Sequence, residues 1–357
     1  MPRAQIDDNG TCIYYEDTGV PHGSVTYPTI VITHGALINS GMSITIFERM
    51  LPYASKYGLR IITMNNRGYH GSTPYTEEEL AHLASPDVEV QAHGVRRLGQ
   101  ETAQFLAYVC QTLRIPVATG EGAKKEGGLV LVAWSMYGTV AVSILGDPRT
   151  MGSDLTATLA PYLRTVVFLD SPSATFGVFP DIGRGTPFGD PTIPNERKSD
   201  VFIDWVSAYH TSPPDGVPIT AESLHEYYTV LPRTPTLRTL SPEDYQRVIE
   251  LGDCVRLTGL IVATDEKIHH KYAHCAFSDA GAVLPDVNIL YLAAAQAPWA
   301  SMWGAKVAEE LIGEAADQGK KKRKATFLRL KGANHLVQWD EPERLVRLLA
   351  ESCNDSL

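Results

Sequence analysis

Short apolar runs that alternate with helical stretches constrain the fold of this sequence most strongly. In the first half the alternation is regular, and the pattern is typical of strands joined by crossover helices. It predicts an α/β protein with a mostly parallel, doubly wound sheet. Seven runs predict strands at about Cys12–Glu16, Thr29–Thr33, Arg60–Met64, Gly128–Ala133, Thr165–Asp170, Asn288–Ala293 and Ala325–Leu330.

Residues 171–285 break this rhythm, since they are rich in prolines and aromatic residues and contain no clear strand. Two pieces, 198–210 and 241–253, have helical character, and Ser241 precedes Asp244 by three residues, an approximate helix N-cap signal. The segment is too long for a loop. We therefore predict a core of residues 1–170 and 286–357 with a helical cap inserted at 171–285.

Composition excludes several classes of protein. An apolar share of 44% and a charged share of 20% are those of a globular chain, and the net charge of −10 disfavours nucleic acid and anionic membranes as partners. No signal peptide or membrane-spanning run is apparent, and the five scattered cysteines fit a reducing compartment. We expect a cytoplasmic protein without a structural zinc site, and a homodimer is left open.

The stretch LVLVAWSMYG places Ser135 at the end of a predicted strand. A serine there can act as a nucleophile when the following turn is sharp enough to expose its hydroxyl, which requires small neighbouring residues. Ala133 and Gly138 are small. The stretch resembles the nucleophile elbow of the α/β-hydrolase superfamily, G-x-S-x-G, although Tyr137 stands at the second glycine and glycine follows one residue later.

Two further segments resemble that superfamily in the expected order. His34 and Gly35 follow a strand as in its oxyanion loop, and the resemblance implies the amides of Ala36 and Met136 as oxyanion donors. The segment FLRLKGANHLVQWDEP resembles its histidine segment, which implies His335 as the general base. The segment IITMNNRGYHGST is also similar, and we expect its Arg67 to brace loops.

The acid that orients His335 is harder to assign. In most of the superfamily it follows the seventh strand, but here that position holds alanines and Gln296, with no carboxylate until Glu309. The end of the preceding strand is the known alternative and holds Asp170. We predict the triad Ser135, Asp170 and His335; a cap carboxylate, Asp253 or Asp265, and a dyad without an acid are the alternatives.

The cap is expected to shape the substrate cavity. We predict substrate contacts from His34, Tyr137, Phe176, Trp205 and Trp299, and we expect no cofactor or metal. A metal site at His270, His274 and Cys275 is disfavoured because no acidic ligand accompanies them. The wider set of candidate aromatic residues adds Phe179, Phe188, Phe202, Tyr209, Tyr227, Tyr228 and Trp303.

These features favour one function and leave others open. We predict a cofactor-independent serine hydrolase that cleaves an ester, lactone or thioester of a small, largely apolar molecule through an acyl-serine intermediate. The alternatives are an acyltransferase or lyase on the same scaffold, and a non-catalytic ligand receptor that retains it. A small-molecule substrate is the expected partner in each case.

Overall fold

Eight strands form a single sheet in the computed structural model, which describes residues 2–39, 46–120, 125–183, 185–278, 283–317 and 323–353. Their order is β1-β2-β4-β3-β5-β6-β7-β8; β1 and β2 pair antiparallel, β2 pairs antiparallel with β4, and all other pairs are parallel. The predicted fold class is confirmed. The strands are β1 Arg3–Gln5, β2 Cys12–Asp17, β3 Thr29–Thr33, β4 Arg60–Asn65, β5 Leu129–Trp134, β6 Leu163–Leu169, β7 Asn288–Ala294 and β8 Ala325–Leu330.

Thirteen α-helices flank the sheet or connect its strands within the described residues. The predicted N-cap at Ser241 is confirmed, because its side chain accepts a hydrogen bond from the amide of Asp244 at 3.1 Å. No described helix is long and apolar enough to cross a membrane. The helices are α1 Leu51–Lys56, α2 Glu77–Leu83, α3 Val88–Gln111, α4 Gly138–Gly146, α5 Pro148–Leu159, α6 Lys198–Ser207, α7 Ala221–Tyr227, α8 Pro242–Val248, α9 Asp253–Val262, α10 Glu266–Ser278, α11 Trp299–Asp317, α12 Val337–Asp340 and α13 Pro342–Cys353.

The central strands are buried on both faces, as a doubly wound sheet requires. Every residue of β3, β4, β5 and β6 is buried. Alternate residues of β5 belong to different apolar clusters: Leu131 lies with Phe105 of α3, and Val132 lies with Val346 of α13. Helices therefore cover both faces, and a site is expected at the carboxyl edge of the parallel strands.

The region between β6 and β7 contains helices α6 to α10 and no named strand among its described residues. The last of these helices, α10, packs on the core and not above the cavity. A Cβ atom added at Gly146 of α4 would lie 2.1 Å from the carbonyl oxygen of Tyr272 in α10, and Phe277 packs on Phe168 of β6. Because α10 lies directly on the sheet, we propose residues 171–265 as the cap and refer to them as the insertion.

Candidate active site

Ser135 occupies a strained turn at the carboxyl end of β5, the strand between β3 and β6. Its φ of 59° is left-handed, a conformation that non-glycine residues rarely adopt outside sites where the surrounding structure enforces it. The chain then makes one 3₁₀ turn, Ser135–Tyr137, and enters α4 at Gly138. This reversal sets the hydroxyl of Ser135 in the wall of a cavity above the sheet.

Gly138 supplies the close approach that the resemblance assigns to a glycine one residue earlier. A Cβ atom at Gly138 would lie 2.5 Å from Ser171 Oγ and 2.8 Å from Thr175 Cγ2. Tyr137 needs no such space because its buried ring packs against the rings of His34 and Tyr69. The elbow therefore tolerates tyrosine at the second position of the pattern.

We expect Gly138→Ala to destabilise the protein by about 1–3 kcal/mol, because the added methyl group has no room. Urea unfolding of the variant measures the change. Gly313→Ala is the matched control, since a Cβ at that helical position meets nothing within 4 Å, and there alanine should stabilise by roughly 0.5–1 kcal/mol. Stabilisation of both variants would show that the close approach at Gly138 is not required.

His335 faces Ser135 from the loop between β8 and α12. Its Nε2 atom lies 2.9 Å from Ser135 Oγ, and its side chain is buried. The carbonyl oxygen of His335 accepts a hydrogen bond from Trp134 Nε1 at 3.1 Å. Trp134, the residue before Ser135, thus also holds the backbone that carries the imidazole.

Asn334 ties this loop to the insertion. Its Nδ2 donates to the carbonyl oxygen of Ser207 at 3.0 Å and to Thr236 Oγ1 at 2.7 Å. Thr236 Oγ1 donates in turn to Asp340 Oδ2, which also accepts from the hydroxyl of Tyr209. These four side chains, Asn334, Thr236, Asp340 and Tyr209, are called the loop clamp below. Sequence reasoning did not single out their contacts, since they join positions about 100 residues apart.

Asp170 completes a chain of hydrogen bonds from Ser135. It directly follows β6, is fully buried, and places Oδ2 2.6 Å from His335 Nδ1. Its other oxygen, Oδ1, accepts from the amide of Ala294 at 2.9 Å. The end of β7, where the usual acid is missing, therefore contributes a backbone donor. With Asp170 accepting at Nδ1, the neutral imidazole presents an unprotonated Nε2 to the hydroxyl of Ser135.

The alternative carboxylates lie elsewhere. Asp265 Oδ1 accepts from the amide of Lys267, and Asp253 is the exposed first residue of α9. No hydrogen bond joins either of them to His335 in the described structure, whereas Asp170 makes that bond. The geometry thus favours Asp170 over both cap residues.

The two predicted oxyanion donors lie beside Ser135. Ala36 and Met136 both line the cavity with it. Their segments are in contact, because a Cβ at Gly35 would lie 3.2 Å from Ser135 Cβ. The amide of the next residue, Leu37, donates to the hydroxyl of Tyr69 at 3.1 Å, which anchors the loop.

His34 lies beneath the site and serves the scaffold. It is fully buried, with Nδ1 2.8 Å from the carbonyl oxygen of Gly35, and its Nε2 accepts from the amide of Asn66 at 3.0 Å. Burial lowers the pKa of His34 to about 4, so the imidazole is neutral near pH 7. His34 lies outside the cavity wall, which does not support the predicted contact with substrate.

The low pKa of His34 predicts a loss of stability in mild acid. In the unfolded chain His34 has an ordinary histidine pKa of 6.5. Between pH 6.5 and 4 it therefore binds a proton in the unfolded state but stays unprotonated in the native state. From pH 7.5 to 5.0, His34 should lower the free energy of unfolding by about 2 kcal/mol. Urea unfolding at both pH values should show a smaller loss for His34→Gln; equal losses would contradict the assignment.

A cavity of 570 Å³ lies between Ser135 and the insertion. Its aromatic wall includes Trp205 and Trp299, as predicted, and three phenylalanines from the wider set: Phe179, Phe188 and Phe202. Among the described residues of the wall, His335 is the single histidine, and no aspartate, glutamate, lysine or arginine contributes. The described part of the cavity wall therefore favours contact with apolar, uncharged groups.

Other predicted aromatic contacts are not brought to this cavity. Phe176 is fully buried in the core against Phe168, Phe277 and Tyr291, because it lies in a 3₁₀ turn under α10. Tyr137 packs against His34, and burial holds its pKa well above the ordinary value. Neither placement supports substrate contact. Four other aromatic residues of the predicted wider set also lie outside the cavity wall: Tyr209, Tyr227, Tyr228 and Trp303.

One face of α9 forms part of the cavity wall, and the sequence analysis did not predict this. Its members follow the spacing i, i+3, i+4 and i+7, which places them along one side of a helix. The opposite side of α9 packs into the core through Cys254, Leu257 and Ile261. The spacing was visible in the sequence, but nothing there showed which side faces a cavity. The cavity-facing residues are Val255, Thr258, Gly259 and Val262.

Two further predictions concern the structural role of Arg67 and the presence of a metal site. Arg67 braces loops as expected: it pairs with Glu79 at 2.8 Å and with Glu101 at 2.7 Å and is almost fully buried. Within the described ranges, no group of three or more histidine, cysteine, aspartate or glutamate residues is arranged to hold a metal ion.

Comparison with known proteins decides the family. The sequence model of the Alpha/beta hydrolase family matches residues 30–348, which is most of the chain and includes Ser135, Asp170 and His335. The chain belongs to the alpha/beta hydrolase family. No curated protein matches this family member.

Solved structures with the same fold are distant from this alpha/beta hydrolase in sequence. VinJ is 14% identical with a TM-score of 0.50, covering 100% of this chain and 99% of VinJ. An esterase from Exiguobacterium antarcticum is 16% identical with a TM-score of 0.46, covering 98% of each chain. A proline iminopeptidase from Mycobacterium smegmatis is 11% identical with a TM-score of 0.47, covering 99% of this chain and 98% of that one. These similarities concern the fold alone.

Proposed function

We propose that this protein is a serine hydrolase that cleaves an ester, lactone or thioester of a small, largely apolar molecule through an acyl-serine intermediate. The observation that carries the proposal is the continuous hydrogen-bond chain from Ser135 through His335 to Asp170, which opens on an apolar cavity. A buried serine in a left-handed turn, with an imidazole nitrogen 2.9 Å from its hydroxyl oxygen, is placed for nucleophilic attack.

The proposed reaction follows from these positions. Ser135 Oγ attacks the carbonyl carbon while His335 Nε2 takes its proton, and the amides of Ala36 and Met136 bind the oxyanion. The tetrahedral intermediate collapses, and the leaving alcohol or thiol receives the proton from His335. Water then attacks the acyl-serine with His335 as base, which releases the acid and restores Ser135. Asp170 stays ionised and stabilises the imidazolium during both proton transfers.

Labelling with a fluorophosphonate probe tests the nucleophile. The proposal requires that the folded protein form a phosphonyl adduct at Ser135, with loss of fluoride, and that Ser135→Ala form none. Thr258→Ser is a suitable control variant, because it changes another hydroxyl-bearing residue of the cavity wall and should keep the reaction. A folded protein that resists the probe would contradict the proposal and favour a ligand receptor.

Product analysis then separates hydrolysis from transfer. The protein is incubated with p-nitrophenyl butyrate alone and with added alcohols or thiols. Release of butyrate as the main product in both cases supports a hydrolase. Dominant formation of the new ester or thioester would instead identify an acyltransferase.

A further inference from the structure

A glycine in the middle of α9 stands where helix stability disfavours it. Gly259 lies within Asp253–Val262, and glycine in a helix interior is less favourable than alanine because the unfolded chain gains more freedom. Its φ is not left-handed, and a Cβ atom there would meet nothing within 4 Å. Neither backbone conformation nor a tight contact therefore accounts for glycine at this position.

The place of Gly259 in the cavity offers an explanation. Gly259 lines the cavity between Val255 and Val262, and the latter is 45% exposed at the opening. The same cavity is lined by aromatic residues of the insertion, among them Phe179, which is 48% exposed. Gly259 is an exposed part of this wall, and a longer side chain there would extend into unfilled space at the edge of the cavity.

The orientation of α9 is fixed from its other side. Leu257 Cδ2 would lie 3.2 Å from a Cβ at Gly68, and Cys254 Sγ donates to the carbonyl oxygen of Gly68 at 3.0 Å. Arg256 pairs with Glu77 at 2.6 Å. Because the loop after β4 and the start of α2 hold the helix in this rotation, the face that bears Gly259 stays toward the cavity.

We propose that Gly259 is a specificity-determining residue that keeps room for a bulky, uncharged aromatic group of the substrate. This inference rests on the proposed function and deepens it, since it names the substrate class: esters that carry a two-ring aromatic group. The aromatic residues that line the same cavity offer ring surfaces for packing, and the described residues of the wall include no aspartate, glutamate, lysine or arginine to pair with a charged substituent.

Paired esters test this proposal. Phenyl acetate and 2-naphthyl acetate share the acyl group and differ by one ring. Gly259→Leu should lower the ratio of kcat/KM for naphthyl over phenyl acetate at least tenfold relative to the unsubstituted protein. Gly313→Leu is the matched control, since Gly313 is also helical with open space around a Cβ but lies outside the cavity wall; its ratio should stay unchanged. An equal change of both rates in a folded Gly259→Leu protein would overturn the proposal.

A binding measurement separates this inference from the proposed function. In a Ser135→Ala background, 2-naphthyl acetate should bind as an intact ligand in calorimetry, and adding Gly259→Leu should weaken that binding at least tenfold. If the unsubstituted protein neither hydrolyses esters nor reacts with fluorophosphonate, the proposed function fails, while this binding difference still supports the role of Gly259. Unchanged affinity would overturn the role of Gly259 alone.

Discussion

Ser135→Ala is expected to lower kcat for ester hydrolysis by a factor on the order of 10⁶, because it removes the atom that forms the acyl intermediate. His335→Ala should cost a similar factor, since Ser135 Oγ is a poor nucleophile without Nε2 2.9 Å away to take its proton. Initial rates with p-nitrophenyl butyrate under saturating conditions measure both losses. Thermal unfolding of each variant checks that the fold is retained.

The double variant Ser135→Ala/His335→Ala gives the sharper result. When a nucleophile and its base act as one unit, removing the second residue costs almost nothing after the first. The double variant should therefore be about as slow as either single variant. Losses that multiply would show that Ser135 and His335 contribute independently, which would contradict the proposed mechanism.

Asp170→Asn is expected to lower kcat by a factor of about 10⁴ with little change in KM. The substituted side chain keeps an oxygen for the amide of Ala294 but presents an NH₂ group to His335 Nδ1. The imidazole then carries its proton on Nε2 and cannot accept the proton of Ser135. A steady-state comparison of kcat and KM separates this effect from weaker substrate binding.

The cap carboxylates are the controls for this prediction. Asp253→Asn and Asp265→Asn should leave kcat within about twofold of the unsubstituted protein, since neither side chain is bonded to His335. If either variant loses activity by orders of magnitude while Asp170→Asn keeps it, the proposed acid is wrong and the substrate must bring a cap carboxylate to the site.

The four central strands were predictable from the sequence because burial on both faces favours a mostly apolar run in each of them. All seven predicted strands are present with boundaries that differ by at most two residues. The eighth strand, β1, is three residues long, lies at the sheet edge and reads Arg-Ala-Gln, so it carries no such signal. The proposed end of the cap at residue 265 differs from the predicted end at 285 because α10 packs closely on α4, a contact that the sequence pattern does not reveal.

The site could be predicted in part. Local patterns around Ser135 and His335 were sufficient to identify both as candidate site residues, because the turn and the loop are encoded within a few residues. The bond from Asp170 to His335 joins residues 165 positions apart, and the amide that supports it comes from β7. Asp170 was predicted only through the family resemblance, with Asp253, Asp265 and a dyad left open, because the contact depends on strand order, which a single sequence does not state.

Side-chain direction was the weakest part of the prediction. Trp205 and Phe176 both belong to aromatic-rich stretches near the site, yet Trp205 lines the cavity and Phe176 enters the core. A residue's distance along the chain from a nucleophile says little about the face on which its side chain lies. The cavity-facing side of α9 was missed for the same reason. The helical spacing of its residues was visible in the sequence, but the side of the helix that faces the cavity was not.

The loop clamp connects the insertion to the loop that carries His335. Asn334 immediately precedes His335, and its amide is held by Ser207 and Thr236, both of which belong to the insertion. A shift of that part of the chain therefore reaches the base as well as the substrate space. Displacement of the insertion would break the two hydrogen bonds that hold Asn334, and the loop that carries His335 would then lose its anchor beside Ser135.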